Sequence, residues 1–261
     1  MSEYIHGETN SKQIERLEHM AAFTANLIFK DFKCDSGKRM LDLGCGVGAM
    51  TQQLHNRFPG IDLSGVDIQL QSLRVAQAKH PIAFYACADG ANLPFCDKVF
   101  DCVHSSWLLE HVRLPLKVLF EIRRVLKVGG QCQFLEVDNS SLKTVPEYPE
   151  VDGVMSTLNQ MQIESGGDPF IGQRLRQLLM EADFSNVEVI PLNLRGDSSN
   201  YYVFDGLTKV FANIFESVEQ SLGPNMIPII RIAAAKLLGM QVAKGDAILY
   251  SPVIGRGTRH R

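Results

Sequence analysis

Apolar positions along the first half of the chain switch between two periods, and the switching lays out the fold. Residues 12–32 place Ile14, Leu17, Met20, Ala21, Leu27 and Ile28 near one face of a helix. A short apolar run at 38–43 predicts a first strand, and 49–58 a helix that Pro59-Gly60 ends. A second strand follows at 61–66, a helix at 69–79 broken by Pro81, a third strand at 82–86 and a fourth at 99–104. Pro115 opens a helix to Val125, with Leu116, Leu119, Phe120, Ile122 and Val125 apolar, and Gly129-Gly130 turns into a fifth strand at 131–137. Strands alternating with helices imply a parallel sheet with right-handed crossovers.

The second half changes character. Residues 139–170 read as loop and helix around Pro146, Pro149 and Pro169. A helix is expected at 172–182, a strand at 187–192, two helical pieces within 200–241 broken at Gly223-Pro224 and Pro228, and a closing strand at 247–254. No internal repeat or low-complexity segment interrupts this order.

Composition narrows the class. At 261 residues, 45% hydrophobic and 21% charged, the chain reads as one large globular domain or a domain with a cap. A net charge of −3 gives no basic bias toward nucleic acid. The basic C-terminus, with Arg256, Arg259, His260 and Arg261, reads as a solvated, frayed tail. None of the six cysteines forms a C-x-x-C pair, and no carboxylate cluster argues for a metal. Cys87 and Cys102 fall in strand patterns, where a thiol is usually a small core hydrophobe. No apolar run approaches the roughly 20 residues that span a bilayer, and the polar N-terminus lacks a signal core. A cytoplasmic protein without a membrane or nucleic-acid partner is the expectation.

The chemistry concentrates at 40–50, Met-Leu-Asp-Leu-Gly-Cys-Gly-Val-Gly-Ala-Met. An apolar strand runs into Asp42 and then into Gly44, Gly46 and Gly48. Such glycines let the backbone turn tightly and let a ligand approach bare main chain. Gly44-x-Gly46-x-x-Ala49 also satisfies a dinucleotide fingerprint, but Asp42 at the strand end would then face pyrophosphate, whereas an ammonium group suits it. The acid-x-Gly-x-Gly-x-Gly window resembles the first motif of class I S-adenosylmethionine-dependent methyltransferases.

That resemblance covers roughly residues 38–254 and implies a Rossmann-like α/β fold. Its sheet has seven mostly parallel strands with helices on both faces, an antiparallel final strand and helical cap insertions. It implies an N-terminal helical lid at 1–37, a cofactor-binding core at 38–194 and 245–261, and a helical cap at 195–244. It also assigns roles. Asp67, 23 positions after Gly44, would accept the ribose hydroxyls, with Ile68 against adenine; a helix N-cap is its other reading. Asp89, with Gly90, would meet the adenine amino group, or serve only as a turn residue. Asp42, Gly44 and Gly46 would hold the methionine part. Ser105, Ser106 and Trp107, after the fourth strand, would face the transferable methyl; Trp107 could equally pack a helix start. Tyr4, in Tyr-Ile-His-Gly, resembles the closing segment of a bacterial small-molecule subgroup.

The function implied is methyl transfer to an O, N or C atom of a small organic acceptor. His111, and less so His104, are candidates for a general base, with a structural histidine as the other reading. Phe170, Tyr201 and Tyr202 are expected at the acceptor, along with Phe204, Phe211 and Phe215. The alternatives keep S-adenosylmethionine but replace methyl transfer with another reaction, or with a regulatory binding role.

Overall fold

The computed structural model describes residues 11–219 and 224–260. Its main sheet has seven strands in the order β3-β2-β1-β4-β5-β10-β7. Strands β1 (Arg39–Leu43), β2 (Asp62–Asp67), β3 (Phe84–Cys87), β4 (Phe100–Ser106) and β5 (Leu126–Glu136) run parallel. The last strand, β10 (Val253–Arg259), runs antiparallel between β5 and β7 (Phe184–Pro191). The expected Rossmann-like sheet with one reversed strand is therefore present.

Alternation of side chains on β1 explains the two covered faces. Leu41 and Leu43 pack with Val103 against Leu119 and Ile122 of α4 (Pro115–Val125) and Leu175 of α6 (Leu175–Glu181). Met40 points the other way, joining Ile28 of α1 (Ser11–Ile28), Phe29 and Leu54 of α2 (Ala49–Arg57). Helix α3 (Leu70–Lys79) completes the crossover between β2 and β3. A third core belongs to the cap. It joins α5 (Pro149–Glu164), α7 (Tyr201–Ser217) and α8 (Ile227–Leu238) through Val154, Leu158, Phe211, Phe215, Ile230 and Leu237.

Several expectations change. The closing strand at 247–254 is two strands parted at Ser251-Pro252, where proline offers no N–H to a ladder. The first, β9 (Ala247–Tyr250), is the centre of a separate antiparallel sheet with β6 (Lys143–Val145) and β8 (Leu194–Gly196). Strands of three or four residues carry too little periodicity to read. Strand β5 begins at Leu126 and passes through Gly129, whose φ of 79° only glycine adopts readily. Helix α1 stops at Ile28 instead of residue 32.

The basic C-terminus is not a frayed tail through residue 259. Arg256 Nε donates to Gln133 Oε1 at 2.9 Å, and its guanidinium pairs with Glu188 at 3.1 Å. Arg259 Nη1 donates to the carbonyls of Arg123, Arg124 and Leu126, which closes the end of α4. Cys102 is buried, whereas Cys87 is exposed because β3 lies at the sheet edge. Among the described residues no helix is long and apolar enough to cross a membrane, and no three His, Cys, Asp or Glu side chains group as metal ligands.

Candidate functional site

Strand β1 ends in a turn built from left-handed glycines. Gly44, Gly46 and Gly48 have φ of 76°, 52° and 80°. The N–H groups of Gly44 and Cys45 both donate to the Val66 carbonyl, at 2.8 and 3.1 Å, which folds the turn over the end of β2. A Cβ on Gly46 would meet nothing within 4 Å, so this backbone opens onto free space. The space is a cleft of about 800 Å³ lined by Asp42, Gly44, Gly46, Asp67, Ile68, Asp89 and Gly90. It lies beyond the carboxyl ends of the parallel strands, where open α/β sheets bind ligands.

Each acid is held by a specific donor set. Asp67 Oδ2 accepts from the Gly46 N–H at 2.9 Å and Oδ1 from the Gln69 N–H at 2.8 Å. Burial raises its pKa, and those backbone donors pull it back. An ionised carboxylate has about four acceptor sites, so two further donors can be served. Ile68 beside it is 57% exposed, an apolar side chain left on the cleft wall. Asp42 is buried and accepts from Thr51 Oγ1 at 2.6 Å. Burial pushes it up to about 7, against the Thr51 hydrogen bond, and the Asp67 charge adds to the rise. Asp89 Oδ1 accepts from the Ala91 N–H at 2.9 Å, so the turn role is present while the side chain also lines the cleft.

The end of β4 divides. Ser105 is fully buried and its Oγ donates to the Leu43 carbonyl at 2.9 Å; it ties β4 to β1 and lies outside the cleft lining. His104 points to the opposite side of the strand. It is fully buried, its ring edge meets Phe29 at 5.2 Å, and Nε2 lies 2.8 Å from Ser106 Oγ. Burial pushes its pKa down to about 3, so this imidazole is neutral near pH 7 and a poor proton acceptor. Neither residue fits the role expected of it. Ser106 and Trp107 do line the cleft. Trp107 has φ of 58°, an uncommon conformation for a bulky residue, fixed by its N–H donating to Leu135 O at 2.8 Å.

The following turn, Leu109–His111, is pinned by a buried acid. Glu136 at the end of β5 accepts from the N–H groups of Leu108, Leu109 and Glu110 at 3.3, 2.9 and 3.3 Å. Glu110 Oε2 accepts from Gln162 Nε2 at 2.7 Å, and its Oε1 lies 3.7 Å from His111 Nε2. Burial raises the Glu110 carboxyl, and the nearby His111 and Gln162 draw it back.

A second, smaller cavity of about 110 Å³ adjoins the cleft. Its walls are mostly apolar, with Phe23 and Leu27 of α1, Leu158 of α5, and Leu207, Phe211 and Ile214 of α7, but Arg16, Glu110, Asn139 and Tyr250 also line it. Met20, Trp107, His111 and Gln162 line both cavities and so mark their junction. Two aromatic expectations fail here. The chamber-facing positions of α7 are Leu207, Val210, Phe211 and Ile214, at helical spacing. That places Tyr201 and Tyr202, one and a half turns earlier, on the outer surface at 60% and 50% exposure, with the Tyr202 ring against Phe23. Phe170 lines a further cleft of about 390 Å³ that shares Asn139 and Met155 with the chamber. Of the other cap aromatics, Phe211 lines the chamber, while Phe204 and Phe215 are core. Tyr4 lies outside the described residues.

The residues sequence reading missed come from α1 and α5. Met20 and Leu27 belong to the apolar face expected at 12–32 and Phe23 joins them at helical spacing, but nothing local says that the face roofs a cavity. Gln162 gives no sequence signal at all.

Residues 41–134 match the family described as methyltransferase domain. Over 95 residues the chain is 35% identical to a demethylmenaquinone methyltransferase of Renibacterium salmoninarum, covering 36% of this chain and 39% of that protein. The chain spans 39% to 54% of the length of the first curated relatives it matches. The fold is shared with the Haemonchus contortus phosphoethanolamine N-methyltransferase 2 solved with phosphomonomethylethanolamine and S-adenosylhomocysteine. There the TM-score is 0.57 at 19% identity, over 91% of this chain and 52% of that one. It is shared equally with the [4+2]-cyclase SpnF, at TM-score 0.54 and 18% identity over 93% and 81%. The glycine turn and the reversed strand β10 thus give the chain the class I S-adenosylmethionine-dependent methyltransferase fold, and its residues 41–134 match a methyltransferase domain.

Proposed function

We propose that the protein transfers a methyl group from S-adenosylmethionine to a small organic acceptor. One observation carries the reading: a cleft shaped by the glycine turn meets an apolar chamber at Met20, Trp107, His111 and Gln162. A two-substrate transfer needs that arrangement, because the reacting atoms must approach to about 3–3.5 Å in a site that excludes water.

The residues present fit the cofactor. The open Gly46 backbone leaves room for its methionine part, with Asp42 as partner to the ammonium. Asp67 retains acceptor sites for both ribose hydroxyls while holding the turn through Gly46. Ile68, on the cleft wall, would pack the adenine face, and Asp89 and Gly90 beside it would meet the adenine edge. When bound, S-adenosylmethionine supplies an electrophilic methyl on a sulfonium. The chain's part is to align that methyl through Trp107 and to keep the junction dry with α1. Trp107 also offers an aromatic face to a cation.

In the domain reading, residues 38–194 and 245–261 bind the cofactor and 195–244 cap the acceptor. Helix α1, within residues 1–37, closes both cavities. The six free cysteines suit a cytoplasmic setting. Because a cyclase shares the fold, product analysis decides the reaction. Calorimetry with S-adenosylhomocysteine tests the site. Micromolar binding that Asp67→Ala weakens at least tenfold is expected, and no binding by the folded protein overturns the reading.

A further inference from the structure

The chamber is small for an organic acceptor. At about 110 Å³ it lies below the roughly 150 Å³ of an apolar protein cavity that takes benzene, so it seats a group of about six non-hydrogen atoms or fewer. Sites for small organic molecules run from about 300 to 1,000 Å³. With the cofactor in the large cleft, the junction at Trp107 is closed to the rest of an acceptor. A larger acceptor must leave the chamber by another wall.

Asn139 and Met155 mark that wall, because they line both the chamber and the 390 Å³ cleft beside it. Neither closes it rigidly. Met155 is unbranched and flexible, and can swing aside. Asn139 is one link in a polar string. Tyr250 Oη donates to Asn139 Oδ1 at 3.2 Å, and Asn139 Nδ2 donates to Asn159 Oδ1 at 2.9 Å. Joined at this neck, chamber and cleft reach the size of an ordinary small-molecule site.

The outer cleft has a different chemistry. Asp152, Ser156, Asn159 and Gln160 of α5 reach it from one helix face, and Phe170 supplies an aromatic wall. The Asn159 amide NH2 and the Ser156 hydroxyl have no hydrogen-bond partner among the described residues, so both can donate to a ligand oxygen. No lysine or arginine lines this cleft among the described residues, and Asp152 repels an anion. An ammonium would find one exposed carboxylate, a weak partner in water. Hydroxyl groups both donate and accept, so a ring that carries several matches Asp152, Ser156 and Asn159 together and lays its C–H face on Phe170.

We infer that the acceptor is a two-part molecule. An apolar head of about six non-hydrogen atoms sits in the chamber, joined past Asn139 and Met155 to a neutral polyhydroxylated tail, a sugar ring, in the outer cleft. This rests on the methyltransferase reading above and deepens it. The head presents its reactive atom at the junction, the tail selects which head arrives there, and Met155 sets the width of the neck.

Calorimetry on full-length protein saturated with S-adenosylhomocysteine tests this. The probes are phenyl and n-butyl glucosides, their separate parts phenol, n-butanol and glucose, and phenyl phosphate and phenethylammonium as charged-tail counterparts. Each glucoside should bind at least about tenfold tighter than its parts, and the charged counterparts should gain nothing over phenol. Ser156→Trp, on the exposed side of α5, should erase the tail's gain at unchanged S-adenosylhomocysteine affinity. Met155→Ala, with its fold checked by circular dichroism, should bind naphthyl glucoside at least about tenfold tighter than the wild-type protein does. Glucosides that bind no tighter than their parts, a gain that survives Ser156→Trp, or tighter binding of the phosphate or ammonium probe overturns the inference. Unchanged naphthyl glucoside binding by folded Met155→Ala overturns the neck. Failure of the wild-type protein to bind S-adenosylhomocysteine would instead overturn the cofactor reading itself.

Discussion

With the cofactor ammonium at Asp42, as proposed, cofactor binding is a proton-linked event. In the free protein its carboxyl is pushed up to about 7 by burial, with Thr51 opposing and Asp67 adding to the rise. An ammonium placed in the cleft beside it favours the carboxylate, so binding expels whatever proton Asp42 carries. With a midpoint near 7, about half a proton should be released at pH 7, nearly one at pH 5 and about a tenth at pH 8. Affinity for S-adenosylhomocysteine should therefore rise up to about tenfold per pH unit from pH 5 and level off above 7. Calorimetric titration in two buffers of different ionisation enthalpy counts the protons directly. Asp42→Asn keeps an acceptor for Thr51 Oγ1 but cannot titrate; its binding should be weaker at pH 8 and almost free of proton release at pH 7. Equal proton counts in the wild-type and Asp42→Asn proteins, or uptake of protons on binding, would refute the reasoning.

The same raised pKa sets a stability trend without ligand. A group whose folded pKa exceeds its unfolded one stabilises fully below the unfolded value and loses that contribution as pH rises through the folded one. The wild-type protein should lose at most about 4 kcal/mol from this source between pH 4 and pH 8, and denaturant titration of Asp42→Asn should show a flatter profile. Asp67→Asn keeps one accepting oxygen of two, so either the Gly46 or the Gln69 N–H meets an amide NH2, a loss of about 1.5–3 kcal/mol that should appear as a melting point several degrees lower. Gly46→Val fills open cleft space at a left-handed position, so calorimetry should find cofactor binding abolished even when circular dichroism is native. Ile214→Trp should block the chamber, leaving S-adenosylhomocysteine affinity intact while acceptor kcat/KM collapses; equal loss of both would mean the cavities are not separate.

Local pattern carried the sheet-and-helix order because strand and helix periods differ, and each element buries one face of its own. The span of α4, the end of β1 and the start of α2 follow from Pro115, from the apolar run at 38–43 and from Gly48. The glycine turn was legible for a related reason. Its conformation admits few residues besides glycine, so geometry left a mark on composition. Short strands such as β6 and β8 left none, since three residues do not define a period. The two strands at the C-terminus were merged because a proline break between apolar runs resembles a kink until their partners are known.

By itself the sequence determined the Rossmann-like frame and the part of the cleft lining formed by Asp42, Gly44, Gly46, Asp67, Ile68, Asp89 and Gly90, each at a strand end or turn. Tertiary structure alone decided which way the end of β4 faces. Ser105 and His104 turn into the core, and Trp107 turns out, by a strand pleat and a left-handed turn that adjacent positions in a sequence do not reveal. It alone brought α1, α5 and α7 around one chamber and set Gln162 against Glu110, 52 positions away. Local periodicity tells a helix which face is apolar; only packing between distant segments decides whether that face meets another helix or an empty pocket.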